Sequence, residues 1–424
     1  MKAIITALGG SGENGRNCYL LQRNGKSVLL DCGVMRETTP EGIGRYPCLT
    51  AEIARSLDAV FLSHAHEDHC AALPLLYRLG YRGAVYASPE TAQAAPGMME
   101  KWIAYVQARG GSLPFDPSDA GLVRFSPMEM GKGTLVGEPV VTGRSGHTAG
   151  SLWLAMGPGE LFYSGDICPQ SHTLAYDAPP PCAAAIINCA YAGRALDQER
   201  QYAKLLHTAR QALDRGVRLL LPVPAAGRGC DMLLFLAEHL PAQTVCAEKN
   251  IVDACLALAK KTAWIRAGAV RTGLLDRVRI IDSAAARSAA WERKDGVFFI
   301  TDGMLTTAVS AGYLRAFAKS GRTLALLTGH AAAGTPAAAL PLRRQQDEPA
   351  SWPEGAVYAD HLTIKVHFDD QDACAALAGL GAKTAVLFHA DRSRCQTLIE
   401  SLAAQGVDAC TLAPGERLTI ETDL

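Results

Sequence analysis

The sequence lacks the features of membrane-spanning and disulfide-stabilised proteins. No apolar run approaches the roughly 20 residues that a membrane helix needs, and the apolar segment at residues 3–8 is too short for a secretory signal. The 13 cysteines form no Cys-x-x-Cys pair. An odd and unpatterned set of cysteines predicts reduced thiols and a cytoplasmic location.

Histidine is also scarce, yet it is concentrated at one place. Only 11 histidines occur in 424 residues, and three of them lie in the run Ser-His-Ala-His-Glu-Asp-His at residues 63–69. This run follows the apolar residues 58–62, which are typical of a buried strand. A polar loop that happens to contain histidines is the ordinary alternative. Imidazole and carboxylate groups at this density favour a site for zinc or a neighbouring metal.

One loop cannot supply all the ligands of two metal ions, so further ligands are expected downstream. His147 follows the apolar pair at residues 140–141, and Asp166 follows the strand-like residues 162–164. Either residue alone would more often be an ordinary turn residue. Their position after strands and beside small residues predicts that both are metal ligands.

Charge is balanced overall but is distributed unevenly. The net charge is −1, whereas residues 190–345 contain 22 Lys and Arg against 12 Asp and Glu. A basic segment suits a polyanionic substrate, because neutralised phosphates and released counterions dominate the affinity for nucleic acid. A solvated surface rich in Arg and Lys would give the same count.

These motifs resemble the metallo-β-lactamase superfamily, which has a His-x-His-x-Asp-His loop, a later histidine and a later aspartate. The C-terminal motifs around His367 and His389 are similar to those of the β-CASP nucleases within it. Residues 220–228, 302–305 and 327–335 are similar to the middle segments of the same group. The resemblance implies an α/β fold, in which a metallo-β-lactamase αββα sandwich carries an inserted α/β β-CASP domain. The expected domains are residues 1–192, the insert 193–359 and the return segment 360–424.

The resemblance also implies a role for each site residue. His64, His66 and His147 would hold one metal, Asp68, His69 and His389 would hold the other, and Asp166 would bridge them. Asp31 would support the loop from outside the ligand set. The cofactors would be two zinc ions, with manganese or another divalent metal as the alternative. A metal-activated hydroxide would attack the phosphodiester, and His367 would donate a proton to the leaving oxygen.

The sequence departs from the family at three places. Asn188 stands where the family has an acidic residue paired with the donor histidine, and an amide can only orient that histidine. Lys365 replaces a usual serine, and Pro336-Ala337 replaces a usual Gly-Arg. By the same resemblance, the expected catalytic residues are His367, Asp68 and Asn188. The expected substrate contacts are Arg228, Thr328 and His330.

Three functions remain open at this point. The first is a metal-dependent ribonuclease that acts on RNA or on single-stranded DNA. The second is a catalytically weakened relative that binds RNA or a protein, and the third is a small-molecule hydrolase on the same fold. The retained ligands and the basic insert favour the first. No membrane partner is expected, and a homodimer is left open.

Overall fold

The computed structural model describes residues 2–39, 42–157, 159–319, 322–332, 334–343 and 356–421. It divides into two compact units. The first unit contains residues 1–169, 176–195 and 367–424, and the second contains residues 170–175 and 196–366. The second unit is therefore inserted into the sequence of the first.

The first unit contains a seven-stranded sheet in the order β22-β1-β2-β3-β6-β7-β8. Its strands are β1 (Lys2–Gly9), β2 (Cys18–Arg23), β3 (Lys26–Leu30), β6 (Ala59–Phe61), β7 (Val85–Ala87), β8 (Phe125–Pro127) and β22 (Arg417–Glu421). A two-stranded ribbon, β4 (Met35–Thr39) and β5 (Gly42–Arg45), lies outside this sheet. The helices of this part of the chain are α1 (Ala51–Ser56), α2 (Glu67–Cys70), α3 (Leu73–Arg78) and α4 (Pro89–Ala108).

A second seven-stranded sheet in the same unit has the order β21-β20-β13-β12-β11-β10-β9. Its strands are β9 (Gly131–Leu135), β10 (Glu138–Arg144), β11 (Leu152–Met156), β12 (Leu161–Tyr163), β13 (Ala184–Asn188), β20 (Thr384–Phe388) and β21 (Asp408–Cys410). Helices α10 (Asp370–Leu380) and α11 (Arg392–Ala404) belong to this half.

The two sheets pack face to face, and helices cover their outer faces. Tyr163 on β12 contacts both Tyr19 on β2 and Phe61 on β6, with ring centroids 6.1 and 6.5 Å apart. On the outer face of the first sheet, a buried cluster joins Leu29 and Val60 to residues of α1, α3 and α4. On the outer face of the second sheet, Leu387 packs with residues of α10 and α11. This layering confirms the expected αββα sandwich.

The second unit is built on a six-stranded sheet in the order β16-β15-β17-β14-β18-β19, and all its strand pairs are parallel. The strands are β14 (Arg218–Pro222), β15 (Val245–Glu248), β16 (Arg279–Ile281), β17 (Gly296–Ile300), β18 (Thr323–Leu327) and β19 (Val357–His361). The intervening helices are α5 (Gln198–Asp214), α6 (Arg228–His239), α7 (Lys249–Ala259), α8 (Ala284–Trp291) and α9 (Ala308–Lys319). Central strands β14 and β17 are buried at every position, as parallel sheets covered on both faces require.

The inserted α/β domain is therefore present, with a core of its own around Phe298 and Phe317. Apolar runs at both central strands explain why it folds as a parallel sheet. Among the described residues, no helix is long and apolar enough to cross a membrane.

Candidate metal centre

The histidine-rich loop begins where β6 ends. Ser63 and His64 are buried, and the short helix α2 starts after His66. The loop is held by Asp31, which follows β3, the strand paired in parallel with β6. Neighbouring parallel strands end at the same edge of a sheet, so Asp31 lies directly beside the loop.

Asp31 is fully buried and accepts four hydrogen bonds. The donors are the backbone N–H of Ser63 (2.7 Å), the Ser63 hydroxyl (2.6 Å), the Tyr163 hydroxyl (2.5 Å) and His69 Nδ1 (2.6 Å). Its backbone is left-handed, with φ of 58°, which is costly for a residue with a side chain. Because Asp31 holds Nδ1 of His69, the other ring nitrogen of His69 is directed toward the site.

The first potential metal group consists of His64, His66, His147 and Asp166. One ligand atom from each lies within 4.8 Å of all the others. Nε2 of His64 and Nε2 of His147 are both 3.5 Å from Asp166 Oδ2. Nδ1 of His66 lies 3.1 Å from Nε2 of His147.

The second potential group consists of Asp68, His69, Asp166 and His389, within the same distance limit. Nε2 of His389 is 3.0 Å from Asp68 Oδ2, and Nε2 of His69 is 3.3 Å from Asp166 Oδ1. His389 follows β20 directly and has a left-handed backbone, with φ of 68°. Asp166 is shared between the two groups, so all seven predicted ligands converge at one place.

The chemistry of these groups fits divalent metal ions. Nε2 of His64 is buried and has no hydrogen-bond partner in the described part of the chain, although Nδ1 of the same ring lies 3.1 Å from the Ser63 hydroxyl. A buried nitrogen without a partner is costly unless something coordinates it. Imidazole nitrogens and carboxylate oxygens are the donors that zinc and its neighbours prefer.

Electrostatics in the cluster also favour a cation. Burial lowers the pKa of His64 well below its usual value, which leaves a neutral ring with a lone pair. Burial opposes the charged form of Asp166, but His69, His389 and His367 together bring its pKa well below the usual range. An ionised, buried carboxylate surrounded by histidines attracts positive charge.

His367 and Asn188 both contact Asp166, but they do not form the pair that the sequence suggested. Nδ1 of His367 is 3.6 Å from Asp166 Oδ2, and its ring centroid is 4.8 Å from that of His147. The Asn188 amide was expected to orient His367, whereas it donates to Asp166 Oδ1 at 2.8 Å. This difference arises because Asn188 ends β13, next to β12, the strand that leads to Asp166.

Asn17 also lies at the site, and it was not anticipated from the sequence. Nδ2 of Asn17 lies 2.9 Å from His69 Nε2 and 3.3 Å from Asp68 Oδ2. Its backbone N–H donates to the Asp68 carbonyl. The only signal was the preceding glycine-rich run at residues 9–15, where Gly10 leaves room for the Asn17 side chain.

The predicted substrate contacts lie in the inserted unit. Arg228 begins α6, and its guanidinium lies against Gly329. A side chain larger than hydrogen at residue 329 would collide with this guanidinium. Thr328 is buried, and its hydroxyl has no hydrogen-bond partner among the residues that the structure describes. His330 is exposed. Arg228 and the Thr328–Gly329 segment therefore form one local group at the carboxyl ends of strands in this sheet.

Comparison with known proteins agrees with this arrangement. Residues 11–211 match the model of the metallo-beta-lactamase superfamily. That segment contains the histidine-rich loop, His147 and Asp166. Over these residues, slightly less than half of its length, the chain is similar to the metallo-β-lactamase superfamily.

The relatives of this chain include a transcription termination factor and endoribonucleases. The chain is 27% identical to transcription termination factor FttA of Lokiarchaeum over 78% of its length and 56% of that protein. It is 26% identical to endoribonuclease Ysh1 of Schizosaccharomyces pombe over 77% of the chain and 46% of that protein. It therefore spans about half the length of these curated relatives.

Two broader matches cover almost the whole chain. Endoribonuclease Ysh1 of Saccharomyces cerevisiae is 22% identical over 99% of this chain and 59% of its own length, which includes the insert. A crystal structure of a protein of unknown function from Enterococcus faecalis matches 99% of this chain and 100% of its own, with 14% identity and a TM-score of 0.55. The relatives support the β-CASP type for the inserted domain, and the crystal structure supports the fold alone.

Proposed function

We propose that this protein is a dimetal-dependent ribonuclease that cleaves RNA phosphodiester bonds. The observation that carries the proposal is the sharing of Asp166 between two groups of four ligands. Adjacent metal sites of this kind suit displacement at phosphorus. The proposed cofactors are two zinc ions, and manganese or another divalent ion is the alternative.

Each side chain has a proposed role in this reaction. His64, His66 and His147 hold one ion, Asp68, His69 and His389 hold the other, and Asp166 contacts both. When bound, such ions supply Lewis acidity and lower the pKa of water. Asp31 fixes His69, and the Asn188 amide fixes Asp166, so the ligand positions are set before substrate arrives.

His367 is the proposed proton donor. Nδ1 of its ring faces Asp166, 3.6 Å from Oδ2, which leaves Nε2 to give a proton to the leaving oxygen. A positioned imidazole acting as general acid contributes typically about 10²–10⁴-fold to a rate. The ring of Tyr191 lies beside the imidazole, with its centroid 5.8 Å from that of His367.

RNA is the proposed substrate, with single-stranded DNA as the alternative. The relatives are named as an endoribonuclease and a transcription termination factor, and residues 190–345 contain more Lys and Arg than Asp and Glu. Arg228, Thr328 and His330 are proposed to contact the substrate. Backbone amides at the start of α6 and the Arg228 guanidinium provide donors suited to phosphate.

Labelled single-stranded RNA, incubated with the metal-loaded protein with and without a chelator, tests this function. We expect His66→Ala to lose bound metal and all cleavage. His367→Ala should keep its metal content by elemental analysis and lose about 10²–10⁴-fold in turnover. His239→Ala, an exposed histidine of α6, is the control and should match the unmodified protein.

Other outcomes identify other functions. A fully metallated protein that binds RNA without cleaving it would indicate a catalytically weakened binding relative. Hydrolysis of thioesters or lactones, without cleavage of RNA or single-stranded DNA, would indicate a small-molecule hydrolase. Loss of metal from His367→Ala would show that His367 is a ligand and not the proton donor.

A further inference from the structure

The inserted unit contains a basic groove that has no part in the residue roles described above. It lies between helix α5 and the ends of strands β18 and β19, with a volume of about 350 Å³. Its rim carries Arg200, Lys204, His207 and His361, and its floor contains Leu326 and Leu362. We refer to it as the α5 groove. Volumes of about 300–1,000 Å³ are usual for ligand sites.

The basic side chains of the rim are aligned by the geometry of the helix. Arg200, Lys204 and His207 are spaced at i, i+4 and i+7, so they project from the same face of α5. All three are exposed. Like charges one turn apart destabilise a helix slightly, so this alignment is unfavourable for stability unless an anion is bound.

Nearby carboxylates do not neutralise this rim. In the described parts of the chain, none lies within ion-pair distance of Arg200, Lys204 or His207. Asp360, the acidic neighbour of His361, is paired with Arg343 at 2.8 Å. The α5 groove therefore presents cationic side chains that are available to an external anion.

The apolar floor narrows the class of ligand. Leu326 and Leu362 are buried aliphatic side chains, and Ala203 adds a small apolar surface from α5. Inorganic phosphate would contact the basic side chains of the rim, but it has no apolar surface to pack against the floor. A nucleotide of a single strand uses both, because its unpaired base has an apolar face and its backbone carries the charge. Duplex RNA keeps its base faces stacked and would contact only the rim.

We propose that the α5 groove binds single-stranded RNA, with phosphates at Arg200 and Lys204 and a base on the apolar floor. The inference rests on the proposed ribonuclease function and adds a second RNA contact within the inserted unit. Arg200 and His207 are separated by roughly 10 Å along the helix axis, which allows the rim to contact more than one phosphate. The groove thus serves to retain the strand and not to cleave it.

The test is the affinity of chelator-treated protein for fluorescein-labelled single-stranded RNA, measured by anisotropy across a salt series. The double variant Arg200→Ala with Lys204→Ala should bind at least tenfold more weakly. The slope of log affinity against log salt should fall by about 1.4, since each phosphate contact on a single strand contributes about 0.7. The control combines Arg210→Ala with Lys260→Ala, which removes the same charge from exposed positions outside the groove, and should stay within twofold.

A crosslinking experiment locates the contact directly. RNA containing 4-thiouridine, irradiated on the unmodified protein, should crosslink to peptides that contain residues 200–208 or 361–362. Duplex RNA of the same sequence should bind more weakly and give no crosslink there. Crosslinks found only elsewhere would overturn the inference.

The binding and cleavage results separate the two proposals. If the metal-loaded protein cleaves RNA but the groove variant binds as tightly as the control, the groove inference fails and the ribonuclease proposal stands. If the groove variant loses affinity and salt dependence but no preparation cleaves RNA, the groove inference stands and the ribonuclease proposal fails. If RNA affinity falls equally in the groove and control variants, the loss reflects the net charge of the protein and not a specific site. That result would overturn the inference of a groove site.

Discussion

At the scale of the residue, Asn188 shows how a substitution within a motif acquires a different role. The amide donates to Asp166 Oδ1 at 2.8 Å and is fully buried. A carboxylate at this position would face the Asp166 carboxylate, and the two like charges would repel each other. The Asn188 side chain is therefore better described as a positioning group for the shared ligand than as a partner of the proton donor.

We predict that Asn188→Leu weakens metal binding by about 10–100-fold, the usual effect of removing a hydrogen bond that orients a ligand. Leucine has a similar size but cannot donate to Asp166. A competition titration against a chromophoric chelator measures the change. Asn250→Leu is the control, since the Asn250 amide donates to Thr301 in the inserted unit. Equal metal affinity in the two variants would contradict the role given to Asn188.

The ligand residues could be predicted from the sequence. The residues that hydrogen-bond to the ligands and hold them in place could be predicted only in part. His64, His147 and Asp166 each follow an apolar strand, a pattern that one sequence displays directly. Asn17 and Tyr163 gave no such signal. Asn17 reaches His69 because the chain turns back through a glycine-rich loop, and Tyr163 reaches Asp31 across the interface of two sheets. Contacts between distant segments depend on tertiary packing, which no local pattern encodes.

At the scale of the element, the local sequence predicts both ends of helix α10, with Asp369 as its N-cap and Gly381 at its end. Helix α10 begins after Asp369, whose side chain accepts from the Asp372 N–H while Asp372 caps the Asp369 N–H in return. It ends at Gly381, whose backbone is left-handed with φ of 70°. Both ends follow from local chemistry, because an Asp N-cap and a Gly C-cap satisfy the free backbone groups.

We predict opposite effects for two glycine substitutions at the end of α10. Gly381→Ala should lower the free energy of unfolding by about 1 kcal/mol, since alanine is strained in a left-handed conformation. Gly379→Ala should raise it by roughly 0.5–1 kcal/mol, because alanine favours the helix interior. Apart from the chain neighbours and the backbone of the helix itself, no atom of the described residues lies within 4 Å of a Cβ added at either position, so packing does not interfere. Urea unfolding measures both, and changes of the same sign would contradict the account.

The elements of the insert were predictable for a different reason. In the sequence, the alternation of apolar runs with helical stretches predicts a helix over residues 196–213 and strands at 218–221 and 297–301. The structure has Gln198–Asp214, Arg218–Pro222 and Gly296–Ile300. The order of strands in the sheet could not be obtained in this way, because β14 lies between β17 and β18. Strand order depends on which helices cover which face, and this is a property of the assembled unit.

At the scale of the whole molecule, metal binding and charge are divided between the two units. All seven ligand residues belong to the first unit. The second unit contains 22 Lys and Arg against 16 Asp and Glu, whereas the first contains 19 against 26. Each unit also has its own hydrophobic core. Removal of metal should therefore act on one unit and leave the other intact.

We predict two unfolding transitions in calorimetry, of which only one responds to a chelator. A ligand that binds only the folded state stabilises it by about 2.7 kcal/mol when its free concentration is 100 times its dissociation constant. For a unit of this size, that corresponds to a shift of roughly 5–10 °C in Tm. The transition of the inserted unit should stay in place, because none of its described residues belongs to either ligand group.

His64→Ala is the control for this prediction. The transition of its metal-binding unit should match that of the chelator-treated protein and should not respond to added chelator. Equal shifts of both transitions would show that the two units unfold together.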